Sequence, residues 1–199
     1  MSDLFKDKAQ EWDQLPIPMQ ISQGVGQALN EHIILNNKDV VLDFGAGTGL
    51  VCSQIAPKVA KVYAVDISES MLSKLSEKEE LKDKVEVICQ DITSQGLDLT
   101  VDVIVSAMAM HHVADTKKLF EVFYQHLSEG GRLALADLDK EDGDFHPPHI
   151  EGVYHAGFER KVLKQIVIDA GFKDVEFHTA LTVNKVDKKY SIFLMSATK

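Results

Sequence analysis

Three glycines alternate in Asp43-Phe44-Gly45-Ala46-Gly47-Thr48-Gly49, directly after the apolar run Val40-Val41-Leu42 and before an amphipathic segment. A strand, a tight turn and a helix in that order bring backbone against a ligand. Glycine tolerates positive φ there and lacks the Cβ that would hold the ligand off. Dinucleotide, nucleotide and methyl-donor sites all use such a turn. Asp43 narrows the choice, because a carboxylate at the mouth of the strand opposes a pyrophosphate and attracts an ammonium or sulfonium cation. Asp66 ends the next apolar run, Val62 to Val65, where a carboxylate can accept hydrogen bonds from both hydroxyls of a ribose. Its alternative role is local, at a helix entry beside Ser68. Asp91-Ile92 ends a third run, Val85 to Cys89, in the matching position. It suits an adenine amino group and ring, and equally suits plain turn chemistry.

His111 and His112 follow a fourth run, Val101 to Ala107, and a neutral imidazole there can act as a general base near pH 7 or simply shape the pocket. The stretch 137–149 carries Asp137, Asp139, Glu141, Asp142, Asp144, His146 and His149, with His155 beyond it. Mixed carboxylate and imidazole groups can hold a divalent ion or attract a cationic acceptor. The expectation adopted is a polar, solvated lid with no metal, in which Asp139, His146 and His155 are candidate acceptor contacts.

The elements that must position these residues alternate regularly. Leu50 to Ile55 reads as a short helix stopped by Pro57. Ser68 offers a cap to a helix with the apolar stripe Met71, Leu72 and Leu75. Asp115 caps a helix carrying Leu119, Phe120, Phe123 and Leu127, which is expected to stop at Gly130-Gly131. Leu133 to Leu138 forms a fifth strand, and Phe158, Val162 and Ile166 mark a last helix ending at Gly171. Val175 to Val183 and Tyr190 to Ala197 read as a closing hairpin joined by Asn184 to Lys189. Strands separated by helices call for a doubly wound α/β sheet with ligands at the carboxyl ends of the strands.

The chain has 199 residues, 21 Lys and Arg against 31 Asp and Glu, and a net charge of −10. Only Arg132 and Arg160 are arginines, whereas a nucleic-acid binder needs a clustered basic face. The same sign disfavours an anionic membrane surface. Lys58, Lys61, Lys74 and Lys78 read as a solvated helix face, and Cys52 and Cys89 as core residues. No signal-like or membrane-spanning run is evident, so cytoplasmic residence is the expectation.

Five segments in order, VLDFGAGTG at 41–49, VYAVDIS at 62–68, VICQDI at 87–92, VDVIVSAMAMHHV at 101–113 and LSEGGRLALADLD at 127–139, resemble the class I S-adenosylmethionine-dependent methyltransferases. The likeness is to the small-molecule, type 11/12 branch. It implies a seven-stranded Rossmann-like sheet, mostly parallel with an antiparallel C-terminal strand. It further implies a single domain over 1–199: an N-terminal arm at 1–37, a cofactor-binding core at 38–139, and an acceptor-side loop, helix and hairpin at 140–199. Gly45, Ala46, Gly47 and Gly49 would line the methionine part of S-adenosylmethionine, with Asp43 nearby. Asp66 would hold the ribose, Ile67 and Met71 would flank adenine, Asp91 and Ile92 would touch its far edge, and Ala107 would complete the set. Trp12 would close over the methionine end as part of a lid, or serve only as packing in the arm. Ser106-Ala107-Met108-Ala109 stands where amino-modifying nucleic-acid and protein enzymes of this class carry an NPPY-type motif.

The expected activity is therefore methyl transfer to an O, N, S or C nucleophile of a small molecule, with His112 and His111 as candidate bases. The expected partner is a small-molecule acceptor, without nucleic acid or membrane, in a monomer or homodimer. A nicotinamide-dependent oxidoreductase shares the glycine turn and the ribose carboxylate, although the GxGxG spacing and Asp43 argue against it. A non-catalytic cofactor-binding regulatory module is the second alternative.

Overall fold

The computed structural model describes residues 3–147 and 150–199, so His149 of the acidic stretch lies outside the described residues. Seven strands form one sheet: β1 (Val40–Phe44), β2 (Lys61–Asp66), β3 (Val85–Cys89), β4 (Val101–Ala107), β5 (Leu127–Leu138), β6 (Lys173–Lys185) and β7 (Lys188–Thr198). Their order is β3-β2-β1-β4-β5-β7-β6. The first five are mutually parallel, and β7 runs antiparallel to both β5 and β6. The strand order reverses between β1 and β4, which opens a crevice at their carboxyl ends.

Alternation along the central strands assigns one residue to each face. Val41, Val103 and Val105 join Val25 and Leu29 of α1 (Pro16–His32), Ile55 of α2 (Cys52–Ile55) and Leu72 and Leu75 of α3 (Glu69–Ser76) in one buried cluster. Leu42 and Ile104 join Leu119, Phe120 and Phe123 of α4 (Thr116–His126) and Leu163 and Val167 of α5 (Arg160–Asp169) in the other. Strands covered on both sides need nearly continuous apolar sequence, which Val101 to Val105 supplies apart from Asp102.

Ser68 and Asp115 cap α3 and α4 by accepting the backbone N–H of Met71 and Lys118. Five expectations need correction. The fourth helix ends at His126, and Leu127 already begins β5, which runs through Gly130-Gly131 with a register shift between Val101 and Val103 on its neighbour. The last helix buries Leu163 and Val167 while Val162 is exposed, because the helix starts at Arg160 and Phe158 precedes it. The hairpin strands pair up to Lys185 and Lys188, so the polar stretch is strand rather than linker. Solvent-facing polar residues there carry no alternation to read. Cys89 is exposed, whereas Cys52 is buried. Nor do the four lysines share a helix face: Lys61 lies on β2 paired with Glu86, and Lys78 bonds Asp13.

Candidate functional site

The turn after β1 is held by backbone. The N–H groups of Gly45 and Ala46 donate to the carbonyl of Val65 at 2.8 and 3.1 Å, tying the turn to the end of β2. Gly45 has φ +69°, and a Cβ on it would stand 2.2 Å from Ala109 Cβ, so glycine is what lets the segment after β4 close on the turn. Gly47, at φ +54°, is different: a Cβ there would meet no protein atom within 4 Å, so this side of the turn is open.

Asp66, at the carboxyl end of β2, accepts the Gly47 N–H at 2.8 Å through Oδ2 and the Ser68 N–H at 2.9 Å through Oδ1. Burial raises its pKa, opposed by these bonds. Asp43 is buried in β1 and accepts from the Cys52 thiol at 3.1 Å. Burial first, and the charge of Asp66 as well, push its pKa up to about 7. Asp91 lies two residues beyond β3, and its Oδ1 takes the Thr93 N–H and hydroxyl at 2.9 and 2.7 Å, the turn chemistry of an Asx residue. Ile67 is 61% exposed, but Met71 and Ile92 are buried, and Ile92 packs in the core beside α4. Of the apolar residues expected at adenine, Ile67 alone therefore presents an open face. Ala107 ends β4.

The N-terminal arm crosses this face. The Asp3 carboxylate accepts from Ser68 Oγ at 2.8 Å and from the backbone and hydroxyl of Ser70 at 3.0 and 2.6 Å. Burial opposes its charge, but the bonds from Ser70 and Ser68 outweigh it and hold Asp3 at about 2. Asp13 receives the Thr48 hydroxyl and pairs with Lys78 at 2.7 Å. Between these anchors the edge of Phe5 meets both Trp12 and His112, with centroids 5.8 and 5.6 Å apart. Trp12 sits in a short 3₁₀ turn, Trp12–Gln14, of this arm.

Beyond β4, Met110–His112 form another 3₁₀ turn. His111 is buried, with Nδ1 on Asp137 Oδ1 at 2.7 Å and Nε2 3.1 Å from His146 Nε2. His112 donates from Nδ1 to the Gly152 carbonyl at 2.7 Å, which leaves its Nε2 lone pair available. Burial, then the neighbouring His111, draw the His112 pKa down to about 4. His155 does not join this group: its Nε2 bonds the Val113 carbonyl at 2.9 Å. Both oxygens of Asp139 are taken by Arg160, each at 2.7 Å. Glu141 accepts the N–H groups of Gly143, Asp144 and Phe145, while Asp142 and Asp144 face Lys188. The acidic stretch is thus largely internally satisfied, and among the described residues no three His, Cys, Asp or Glu side chains form a metal-holding group.

The sequence reading missed Asp3, Phe5 and the thiol of Cys52, and it placed Asp137 only within the acidic run. The Asp137–His111 contact joins residues 26 apart, and no local spacing marks it. An open depression of about 750 Å³ lies elsewhere, between residues 92–100 and α4, and shares only Ile92 with the expected cofactor residues.

This strand order, with a glycine turn after β1 and a carboxylate at the end of β2, is a Rossmann-like fold of the class I methyltransferase type. The methyltransferase-domain family profile matches residues 42–135. An uncharacterized methyltransferase of Schizosaccharomyces pombe is 28% identical over 153 residues, covering 68% of this chain and 54% of its own length. One from Bacillus cereus is 26% identical over 179 residues, covering 85% and 82%. In fold, the chain resembles Haemonchus contortus phosphoethanolamine N-methyltransferase 2 in complex with S-adenosyl-L-methionine, with TM-score 0.72 and 16% identity over 98% of this chain and 60% of that one. The chain thus spans about half the length of the yeast relative and most of the bacterial one. In sequence the chain is similar to methyltransferases, and in fold to S-adenosylmethionine-dependent methyltransferases.

Proposed function

We propose that this protein transfers a methyl group to a nucleophile of a small molecule. The observation that carries the reading is the joined site: the open side of Gly47, the Asp66 carboxylate bonded to it, and an imidazole cluster packed against the same arm. Asp66 would hold the ribose, Ile67 the adenine, and Asp43 the cationic end of S-adenosylmethionine, with the backbone of Gly45 to Gly49 beneath. When bound, that cofactor supplies a methyl carbon already activated by its sulfonium charge. The chain's own task is then alignment and exclusion of water. Phe5 and Trp12 close the arm over the cleft, and the anchors Asp3 and Asp13 fasten it to Ser68, Ser70, Thr48 and Lys78. His112, neutral at pH 7, lines the acceptor side under Phe5. His111 is too deeply buried to touch an acceptor itself.

The small-molecule reading is supported by the strongly negative charge and the scarcity of arginine. Incubation with methyl-labelled S-adenosylmethionine and a panel of phenols, thiols, amines and carboxylic acids tests it. Label is expected in a panel product. Label transferred only to RNA or protein supplied in parallel would overturn the small-molecule assignment.

A further inference from the structure

Asp137 ends the interior part of β5 with a fully buried carboxylate that receives three N–H groups: His111 Nδ1 at 2.7 Å, the His111 backbone at 3.1 Å and the Leu138 backbone at 2.7 Å. A carboxylate so placed accepts, so His111 carries its proton on Nδ1 and keeps a lone pair on Nε2. His146 Nε2 stands 3.1 Å from that lone pair. Two imidazole nitrogens at this distance share one proton, which must therefore belong to His146. The remaining lone pair of the chain is then on His146 Nδ1, which no described residue bonds. His111 is 1% exposed, whereas His146 is half-buried and is the member that an incoming molecule can reach.

We infer that Asp137, His111 and His146 form a proton relay that accepts the proton of a protic methyl acceptor, a hydroxyl or thiol, at His146 Nδ1. The inference rests on the methyl-transfer reading above. An acceptor that gains one methyl group loses one proton. That proton binds His146 Nδ1, the proton on His146 Nε2 crosses to His111 Nε2, and the positive charge comes to rest on His111 against the Asp137 carboxylate. Asp137 is a positioning residue that keeps the tautomer of His111 and receives no proton.

The surroundings explain why a relay is needed. Burial first, then His111, His112 and Lys185 of β6, draw His146 down to about 4, while Asp137 works the other way. Alone, such an imidazole is a poor base. Passing the charge inward moves it from the side of Lys185 to an imidazole 2.7 Å from a carboxylate. His112 has no comparable support, because its Nδ1 meets the uncharged carbonyl of Gly152. The general-base role expected of His112 therefore passes to His146.

The test is a pH titration of the histidine ring nitrogens by NMR on the full chain, in wild type and in Asp137→Asn, His146→Gln and His112→Gln, each also titrated calorimetrically with S-adenosylhomocysteine. In wild type, His111 is expected as the Nδ1–H tautomer and His146 as the Nε2–H tautomer, with the two rings sharing a protonation step. Asp137→Asn should lower that step by about one to three pH units, the effect of removing an opposite charge at this range, and should leave S-adenosylhomocysteine affinity within about twofold. Methyl transfer to the phenols and thiols of the panel should fall in kcat for His146→Gln, and His112→Gln should leave the shared protonation step of His111 and His146 in place. Independent titration of His146, the opposite tautomers, or an unmoved step in Asp137→Asn would overturn the relay. Failure of the wild type to bind S-adenosylhomocysteine would instead overturn the methyl-transfer reading and leave the ring titrations to stand or fall separately.

Discussion

Asp43 offers a quantitative test of the interior of the site. Its carboxyl is buried beneath the glycine turn with the Cys52 thiol as hydrogen-bond donor, and burial, with Asp66 adding to it, lifts its pKa from 3.8 to about 7. A raised folded-state pKa means that the native state binds more protons than the unfolded chain between those two values. The contribution of Asp43 to stability is therefore complete below pH 3.8 and is lost as pH rises through about 7. At 1.36 kcal/mol per pH unit, the penalty at pH 8 is roughly 4 kcal/mol. Asp43→Asn keeps the shape and an oxygen for the thiol but removes the charge. Urea denaturation at pH 5 and pH 8 should show the variant gaining on wild type by roughly 2.5–3 kcal/mol between the two pH values. At pH 8, where the wild-type carboxyl is ionised, the same variant should lose affinity for cationic S-adenosylmethionine more than for neutral-sulfur S-adenosylhomocysteine. A stability difference that does not change between pH 5 and pH 8 would refute the assignment of a neutral, buried Asp43.

Asp66→Ala removes the acceptor of two backbone N–H groups and of the expected ribose hydroxyls; at about 1.5–3 kcal/mol for each bond to a charged group, calorimetry should show S-adenosylhomocysteine binding weakened by at least tenfold. Gly45→Val places a side chain where a Cβ already meets Ala109 at 2.2 Å with φ at +69°; overpacking should cost about 1–3 kcal/mol in thermal or urea unfolding. Arg132→Ala strips the buried Asp39 of its partner at 2.7 Å; since Arg132 is itself partly exposed, the expected loss is about 2–3 kcal/mol, below the 3–5 of a fully buried pair. Activity is expected to survive dialysis against a chelator, and loss restored by a divalent ion would assign the residues around 137–146 a metal role.

The architecture was legible because its signals are local and repeated. The run Val101 to Ala107, the Ser68 and Asp115 caps and the glycine turn each depend on neighbours within four residues, and the structure places them as read. Misreadings arose where pairing overrode pattern. Leu127 continues the apolar spacing of α4, yet its partner is Val101 of β4, and the chain enters the strand early. Val162 fits a helical stripe with Phe158 only if the helix begins there, and it begins at Arg160. The positions of Asp43, Asp66 and Asp91 toward the carboxyl ends of β1, β2 and β3 were legible. The acceptor side was not, because its contacts are made at long sequence range: Asp137 to His111, His146 to His111, and Asp3 to Ser70, 67 residues apart. Asp139, an acceptor candidate by composition, is neutralised by an arginine 21 positions away that no short motif links to it.

Calorimetric titration of the purified protein with S-adenosylhomocysteine and, separately, with NAD tests the central claim most directly. Saturable binding of S-adenosylhomocysteine alone, weakened in Asp66→Ala, is the predicted result. Binding of NAD without S-adenosylhomocysteine would contradict the reading of the Gly45–Gly49 turn, and with it the proposed methyl transfer.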